Sequence, residues 1–276
     1  MATYMFPGQG SQLKGMGAEL FNQFPEQVKL ANEILGYSIE ELCVTDPKQQ
    51  LGNTEYTQPA LYVVETLSFL VKYRDGVKPN YCIGHSLGEY AALFAAGAFD
   101  FATGLKLVKK RGELMAKASG GGMLAVVGLT TDQIKSLLQL NELNSIDFAN
   151  YNSSKQIVLS GSTADIGKAN EVLSKEAMMC IPLKVSGAFH SRYMQPAANE
   201  FEQFIAPFLF SSLHIQVISN VTAQPYTDKN VKENLVKQIT SSVRWVEIIS
   251  YLKNTGETQF VEIGPGTVLT RLMAQN

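Results

Sequence analysis

Tyr81-Cys82-Ile83-Gly84-His85-Ser86-Leu87-Gly88, followed by Glu89-Tyr90-Ala91-Ala92-Leu93-Phe94-Ala95-Ala96, is the stretch that decides the fold. Its first three residues form an apolar run that reads as a buried strand, and the segment after Gly88, closed by Gly97, reads as a helix. Between them the pattern G-x-S-x-G sets Ser86 on a strand-to-helix turn. A glycine two residues to either side permits the tight, strained backbone that lifts a serine Oγ out of a sheet. The same turn leaves the Leu87 amide at a helix N-terminus, aimed where an oxyanion could form. An ordinary helix-capping serine, the competing reading, makes no use of both glycines.

Outward from this elbow the chain alternates strand and helix. Residues 2–6 read as a strand entering the loop Pro7-Gly8-Gln9-Gly10-Ser11-Gln12, and helical patterns cover 18–34 and 58–72. Asp100 is placed to cap a helix that runs to about residue 118 and stops at Ser119-Gly120-Gly121-Gly122. After that glycine cluster the order changes: strand 123–128, helix 131–140, strands 146–151 and 156–160, helix 163–177, strand 178–185. This β-α-β-β-α-β order is that of a ferredoxin-like subdomain. Alternation then resumes with helix 195–205, strand 214–220, helical pattern 231–253, strand 259–263, the loop Gly264-Pro265-Gly266 and a short helix. The expected fold is α/β, a parallel-sheet, α/β-hydrolase-like core with an inserted ferredoxin-like α+β subdomain. The large part comprises residues 1–120 and 188–276, and the small part 121–187.

The 276 residues suffice for a full core, and 45% apolar with 17% charged residues is an ordinary globular balance. A net charge of −2, with no basic run longer than Lys109-Lys110-Arg111, argues against a nucleic-acid surface. Cys43, Cys82 and Cys180 form no C-x-x-C pair, so neither a disulfide framework nor a zinc site is expected and a reducing cytoplasm fits. No signal peptide and no membrane-spanning run is read from the sequence. The oligomeric state stays open, with a monomer the simplest expectation.

A serine nucleophile needs a base, and the chain has three histidines. His85 adjoins Ser86 on a sharp turn and should point away from Oγ as a buried hydrogen-bonder. His214 alternates with apolar neighbours and reads as an outward strand residue. His190, in Ser186-Gly187-Ala188-Phe189-His190-Ser191, falls where the inserted part returns to the core, in the groove where pockets form. His190 is therefore the expected base. No histidine follows His214, so the usual hydrolase order of acid then late base is absent. Asp100, Glu113, Asp147 and Asp165 all have cap or surface explanations, and a backbone carbonyl could orient His190 instead.

In the helix beginning at Asp100, Leu105, Val108, Gly112 and Met115 form one apolar stripe, with Leu107 and Leu114 at its edge. Arg111 falls inside that stripe, where an unpaired charge is costly. Its planar fork suits a carboxylate, either a buried acid of the chain or a free carboxylate on a substrate. Gln9 follows the first strand at a sheet edge where ligands collect, so its amide is a candidate second oxyanion donor, or part of an ordinary tight turn.

Taken together these residues resemble the malonyl-CoA:acyl carrier protein transacylases of fatty-acid and polyketide synthesis. The resemblance rests on five blocks in order: 6–12, 84–89, Arg111, 187–191 and Val261-Glu262-Ile263-Gly264-Pro265-Gly266. Within the family the chain is most similar to free-standing acyltransferases that serve modular polyketide synthases in trans, on Leu13-Lys14-Gly15-Met16-Gly17 and Phe101-Ala102-Thr103-Gly104-Leu105. The resemblance implies a ping-pong mechanism without metal or redox cofactor, with malonyl-CoA and an acyl carrier protein as partners. It assigns Ser86 as nucleophile, His190 as base, Gln9 and Leu87 amides to the oxyanion, and Arg111 to the malonyl carboxylate. It further assigns Met115, Phe189 and Asn152, with Asn150, to the substrate cleft, and the Gln238 carbonyl to orienting His190. The bulky Phe189 of Gly-Ala-Phe-His would crowd a 2-methyl substituent. Competing expectations are a housekeeping fatty-acid transacylase, an editing acyl hydrolase, which would lack the arginine, and a non-catalytic docking module.

Overall fold

A computed structural model describes residues 2–76 and 78–276. Strand β1 (Ala2–Phe6) is followed by helices α1 (Ala18–Phe21), α2 (Pro25–Leu35), α3 (Ile39–Val44) and α4 (Thr54–Arg74). Strand β2 (Pro79–Gly84), α5 (Gly88–Ala95) and α6 (Phe101–Ala116) complete the first run. Then come β3 (Gly121–Val127), α7 (Thr131–Leu140), β4 (Asp147–Ser153), β5 (Gln156–Ser162), α8 (Thr163–Leu173) and β6 (Met179–Pro182). The chain closes with α9 (Gln195–Ile205), β7 (Gln216–Ile218), α10 (Val231–Lys237), α11 (Trp245–Asn254), β8 (Phe260–Glu262) and α12 (Val268–Met273).

The strands form two four-stranded sheets, one parallel in the order β7-β2-β1-β8 and one antiparallel in the order β4-β5-β3-β6. The first matches the expected parallel core. Every residue of β1 is buried, as expected for a central strand covered on both faces. The second sheet carries α7 and α8, and its strand order is that of a ferredoxin-like unit. A Cβ on Gly121 would lie 2.3 Å from the Ala188 amide nitrogen, so the chain leaves and re-enters the core side by side. The sheets are also stitched by β4, since Val243 N–H donates to Ala149 O (2.8 Å) and Tyr151 N–H to Val243 O (2.9 Å).

Local chemistry explains the element ends. Asp100 accepts from the Thr103 amide at 2.7 Å, and Thr130 and Gln133 close a capping box on α7. Three expectations are corrected. The helical reading over 18–34 breaks at Asn22–Phe24, because Pro25 opens α2 and disfavours helix in the residue before it. The pattern over 231–253 is two helices with a non-helical segment between them. His214 lies exposed in a bend just before β7, its ring against Gly97, instead of within the strand. Among the described residues no helix is long and apolar enough to cross a membrane.

Candidate active site

Ser86 sits between β2 and α5 with φ of +52°, a left-handed conformation that side chains adopt at a cost. A Cβ on Gly84 would stand 2.0 Å from the Gly88 carbonyl carbon, and one on Gly88 would stand 2.0 Å from Phe6 O. Glycine at both positions is what lets the elbow close over β1. Asn220, just past β7, braces it: the Ser86 amide donates to its Oδ1 at 2.7 Å and its Nδ2 donates to Gly84 O at 2.6 Å. Relief of the positive φ gives a direct test. Ser86→Gly is expected to be about 1 kcal/mol more stable than Ser86→Ala in denaturant melts. Equal midpoints would show that the elbow is unstrained.

His190 Nε2 lies 2.7 Å from Ser86 Oγ, and its Nδ1 lies 2.9 Å from Gln238 O and 3.1 Å from Ser241 O. A carbonyl can only accept, so Nδ1 carries the proton and Nε2 is left as acceptor for the serine hydroxyl. The Gln238 carbonyl is free for this because α10 ends at Lys237, leaving its last carbonyls without helical partners. The candidate acids lie elsewhere: Asp147 pairs with Arg192, Asp165 with Ser145, and Asp100 caps α6. Burial, then the Arg111 charge, pushes the His190 pKa down from 6.5 to about 3. The ring is thus neutral even well below the pH at which an ordinary histidine charges. Single-turnover acylation is expected to stay level between about pH 8 and 5, with no acid limb near the ordinary histidine value. Arg111→Ala removes one of the lowering charges, so any acid limb should move upward. A wild-type limb near 6.5 would contradict this placement.

Arg111 is 1% exposed on α6, which packs closely on α4. The close approach is possible because Gly104 lies where a Cβ would be 2.0 Å from Tyr62 Oη on α4. Its Nη1 donates to Gln58 Oε1 (2.7 Å), and its Nη2 to Gln238 Oε1 (2.8 Å) and Ser86 Oγ (3.1 Å). All three acceptors are neutral, and Nε has no partner among the described residues. Arginine stays protonated even when burial lowers its pKa. The site therefore holds a buried cation within reach of the serine that touches no carboxylate directly among the described residues, with the buried Glu89 charge acting on it from beyond Gln238.

Gly8 packs against the elbow, where a Cβ would be 2.5 Å from His85 O, and this sets Gln9 beside Ser86. The main-chain amides of Gln9 and Leu87 have no hydrogen-bond acceptor among the described residues. Both residues line one cavity with Ser86, Arg111, Met115, Phe189 and His190. Its volume of about 90 Å³ suits a short acyl group and excludes a drug-sized ligand, which needs about 300–1,000 Å³. Asn152 is placed differently from expectation: it holds His85 Nε2 at 2.9 Å and does not line the cavity, whereas Asn150 does. His85 points away from the serine and packs on Trp245, with ring centroids 5.6 Å apart. Gln58 and Asn220 escaped the sequence reading. The position of Asn220 at the carboxyl end of a parallel strand is the signal that could have found it.

A nucleophile elbow on a parallel sheet, with a small cavity closed by a second sheet, is the architecture of α/β acyl-transfer enzymes. The chain belongs to the acyl transferase domain family, which matches residues 3–276. It is 54% identical over 276 residues to the polyketide biosynthesis malonyl CoA-acyl carrier protein transacylase PksC of Bacillus subtilis, covering 99% of this chain and 96% of that one. The malonyl CoA-acyl carrier protein transacylase of Synechocystis is 43% identical, covering 98% and 92%. The crystal structure of the Burkholderia pseudomallei malonyl CoA-acyl carrier protein transacylase superposes with a TM-score of 0.96 at 45% identity, covering 100% of this chain and 97% of that one. A malonyl-transacylase solved in complex with a type II polyketide acyl-carrier protein matches with a TM-score of 0.93 at 32% identity, covering 100% and 93%. The resemblance seen in five short blocks thus extends over the whole chain.

Proposed function

We propose that this acyltransferase moves a malonyl group from malonyl-CoA to the phosphopantetheine thiol of an acyl carrier protein, supplying a polyketide synthase in trans. Ser86 Oγ attacks the thioester carbonyl as His190 Nε2 takes its proton. The tetrahedral oxyanion is received by the Gln9 and Leu87 amides. Collapse expels the CoA thiolate, which takes the proton back from His190 and leaves a malonyl ester on Ser86. The carrier thiol then attacks that ester, giving its proton to His190 and thence to the departing Ser86 Oγ. No electrons are exchanged, so the transfer balances without a redox cofactor. Phe189 and Met115 wall the acyl cavity.

Arg111 carries this reading: a buried guanidinium 3.1 Å from Oγ, held only by neutral oxygens, is built for an acyl group with its own carboxylate. It weighs against an editing hydrolase. The polyketide role is supported by the similarity to PksC, which exceeds that to the Synechocystis enzyme. Free Cys43, Cys82 and Cys180 suit a reducing cytoplasm. The test is steady-state transfer with both substrates varied. Parallel double-reciprocal lines and malonyl-loaded carrier are expected. Intersecting lines, or release of free acid as the main product, would overturn the proposal.

A further inference from the structure

Glu89 lies in the first turn of α5, fully buried, and does not line the acyl cavity. Both its oxygens are acceptors in use. Oε1 takes the Asn220 main-chain amide at 2.7 Å, and Oε2 takes Gln238 Nε2. Each donor leads to the site. Asn220 braces the elbow at Ser86 N and Gly84 O. Gln238 uses the rest of its amide on Ser86 O, through Nε2 at 3.0 Å, and on Arg111, whose Nη2 donates to Oε1 at 2.8 Å.

A glutamine amide has no intrinsic preference between its two orientations; its partners choose. In this site two acceptors, Glu89 Oε2 and Ser86 O, hold Nε2 on the α5 side and so turn Oε1 toward Arg111; Glu89 is the charged one of the two. From this polarity we infer that Glu89 is a positioning residue for malonyl recognition: through the Gln238 amide it aims the Arg111 guanidinium at the acyl cavity. The inference rests on the malonyl-transfer reading above. Burial raises the Glu89 pKa to about 7, while its hydrogen bonds and the Arg111 charge pull the other way.

Glu89→Gln is nearly isosteric yet reverses the polarity. The Asn220 amide is a fixed main-chain donor, so the substituted side chain must give it Oε1 and turn its own amide nitrogen toward Gln238. Gln238 Nε2 then meets a donor where it had a charged acceptor, while Ser86 O and Arg111 Nη2 oppose a flip, so the amide is pushed from its place beside Arg111. Arg111 loses a bond that fixes its fork, and malonyl suffers more than an acyl group with no carboxylate.

The experiment is single-turnover acylation of wild type, Glu89→Gln, Gln238→Met and the double variant, with malonyl-CoA and acetyl-CoA compared as a rate ratio. Glu89→Gln should lower the malonyl-to-acetyl ratio about tenfold, the scale of one hydrogen bond to a charged group. Gln238→Met should lower it similarly, and the double variant no further than Gln238→Met, because one relay is being cut twice. An equal fall for both donors in Glu89→Gln would leave Glu89 as an elbow brace alone and overturn the inference. Should Glu89→Gln not fold, an unchanged ratio in Gln238→Met overturns it equally. A wild type that takes no malonyl label on Ser86 removes the transferase reading itself, an outcome separable from these ratios.

Discussion

Arg111→Ala is expected to lower malonylation of Ser86 by roughly 10²- to 10³-fold, while acylation from acetyl-CoA falls far less. The magnitude is that of stranding one partner of a buried, hydrogen-bonded charge pair, about 3–4 kcal/mol. Here the stranded group is the malonyl carboxylate, which would enter a small, buried cavity with no cation to meet it. Lysine should not restore the loss. Arg111 reaches Gln58 and Gln238 through two nitrogens of one rigid fork, and a single ammonium cannot reproduce that geometry. Because Arg111 also donates to Ser86 Oγ, some effect on both donors is anticipated. The decisive quantity is the ratio of quenched-flow acylation rates for malonyl-CoA and acetyl-CoA. An equal fall for the two would remove Arg111 from acyl recognition.

Gly88→Ala is expected to have the largest effect on stability, about 4 kcal/mol or more, and to abolish acylation. The added Cβ would meet Phe6 O at 2.0 Å and Pro7 O at 2.5 Å. Both are main-chain atoms, and His85 N–H already bonds Phe6 O at 2.9 Å. Nothing flexible is available to yield, so the elbow and the loop that carries Gln9 must separate. Calorimetry alongside active-site titration checks this. A variant that melts within a few degrees of wild type with intact acylation would show that the elbow does not depend on this contact.

Much of this was legible because the decisive signals are local. The elbow needs only a strand, two glycines and a helix within sixteen residues. Arg111 stood out because a helix stripe is a short-range pattern. The return point at Gly187–Ser191 placed His190 in the groove without knowledge of any contact. What was missed was set by tertiary structure. From α10 into α11 the residues Ile239, Val243 and Trp245 continue an apolar pattern with no glycine or proline, which masks the break, and the short cluster Thr240-Ser241-Ser242 is its one local signal. Pairing of Val243 with β4 imposes it, and the break supplies the Gln238 and Ser241 carbonyls that face His190. Asn150 and Asn152 share a face by strand period. Register shifts between Phe148 and Asn150 and between Tyr151 and Ser153 separate them, sending one to the cavity and the other to His85. Gln58 and Asn220 carry no charge or motif. Their importance comes from what they touch.

The central claim is that Ser86 carries a malonyl ester whose carboxylate is held by Arg111. The most direct measurement is intact-protein and peptide mass after a brief exposure to malonyl-CoA without carrier protein, on wild type and Ser86→Ala. One malonyl group on the peptide containing Ser86, lost in Ser86→Ala and discharged on adding holo carrier protein, is the predicted result. No adduct on the wild type, or a malonyl group that persists in Ser86→Ala, would contradict the account.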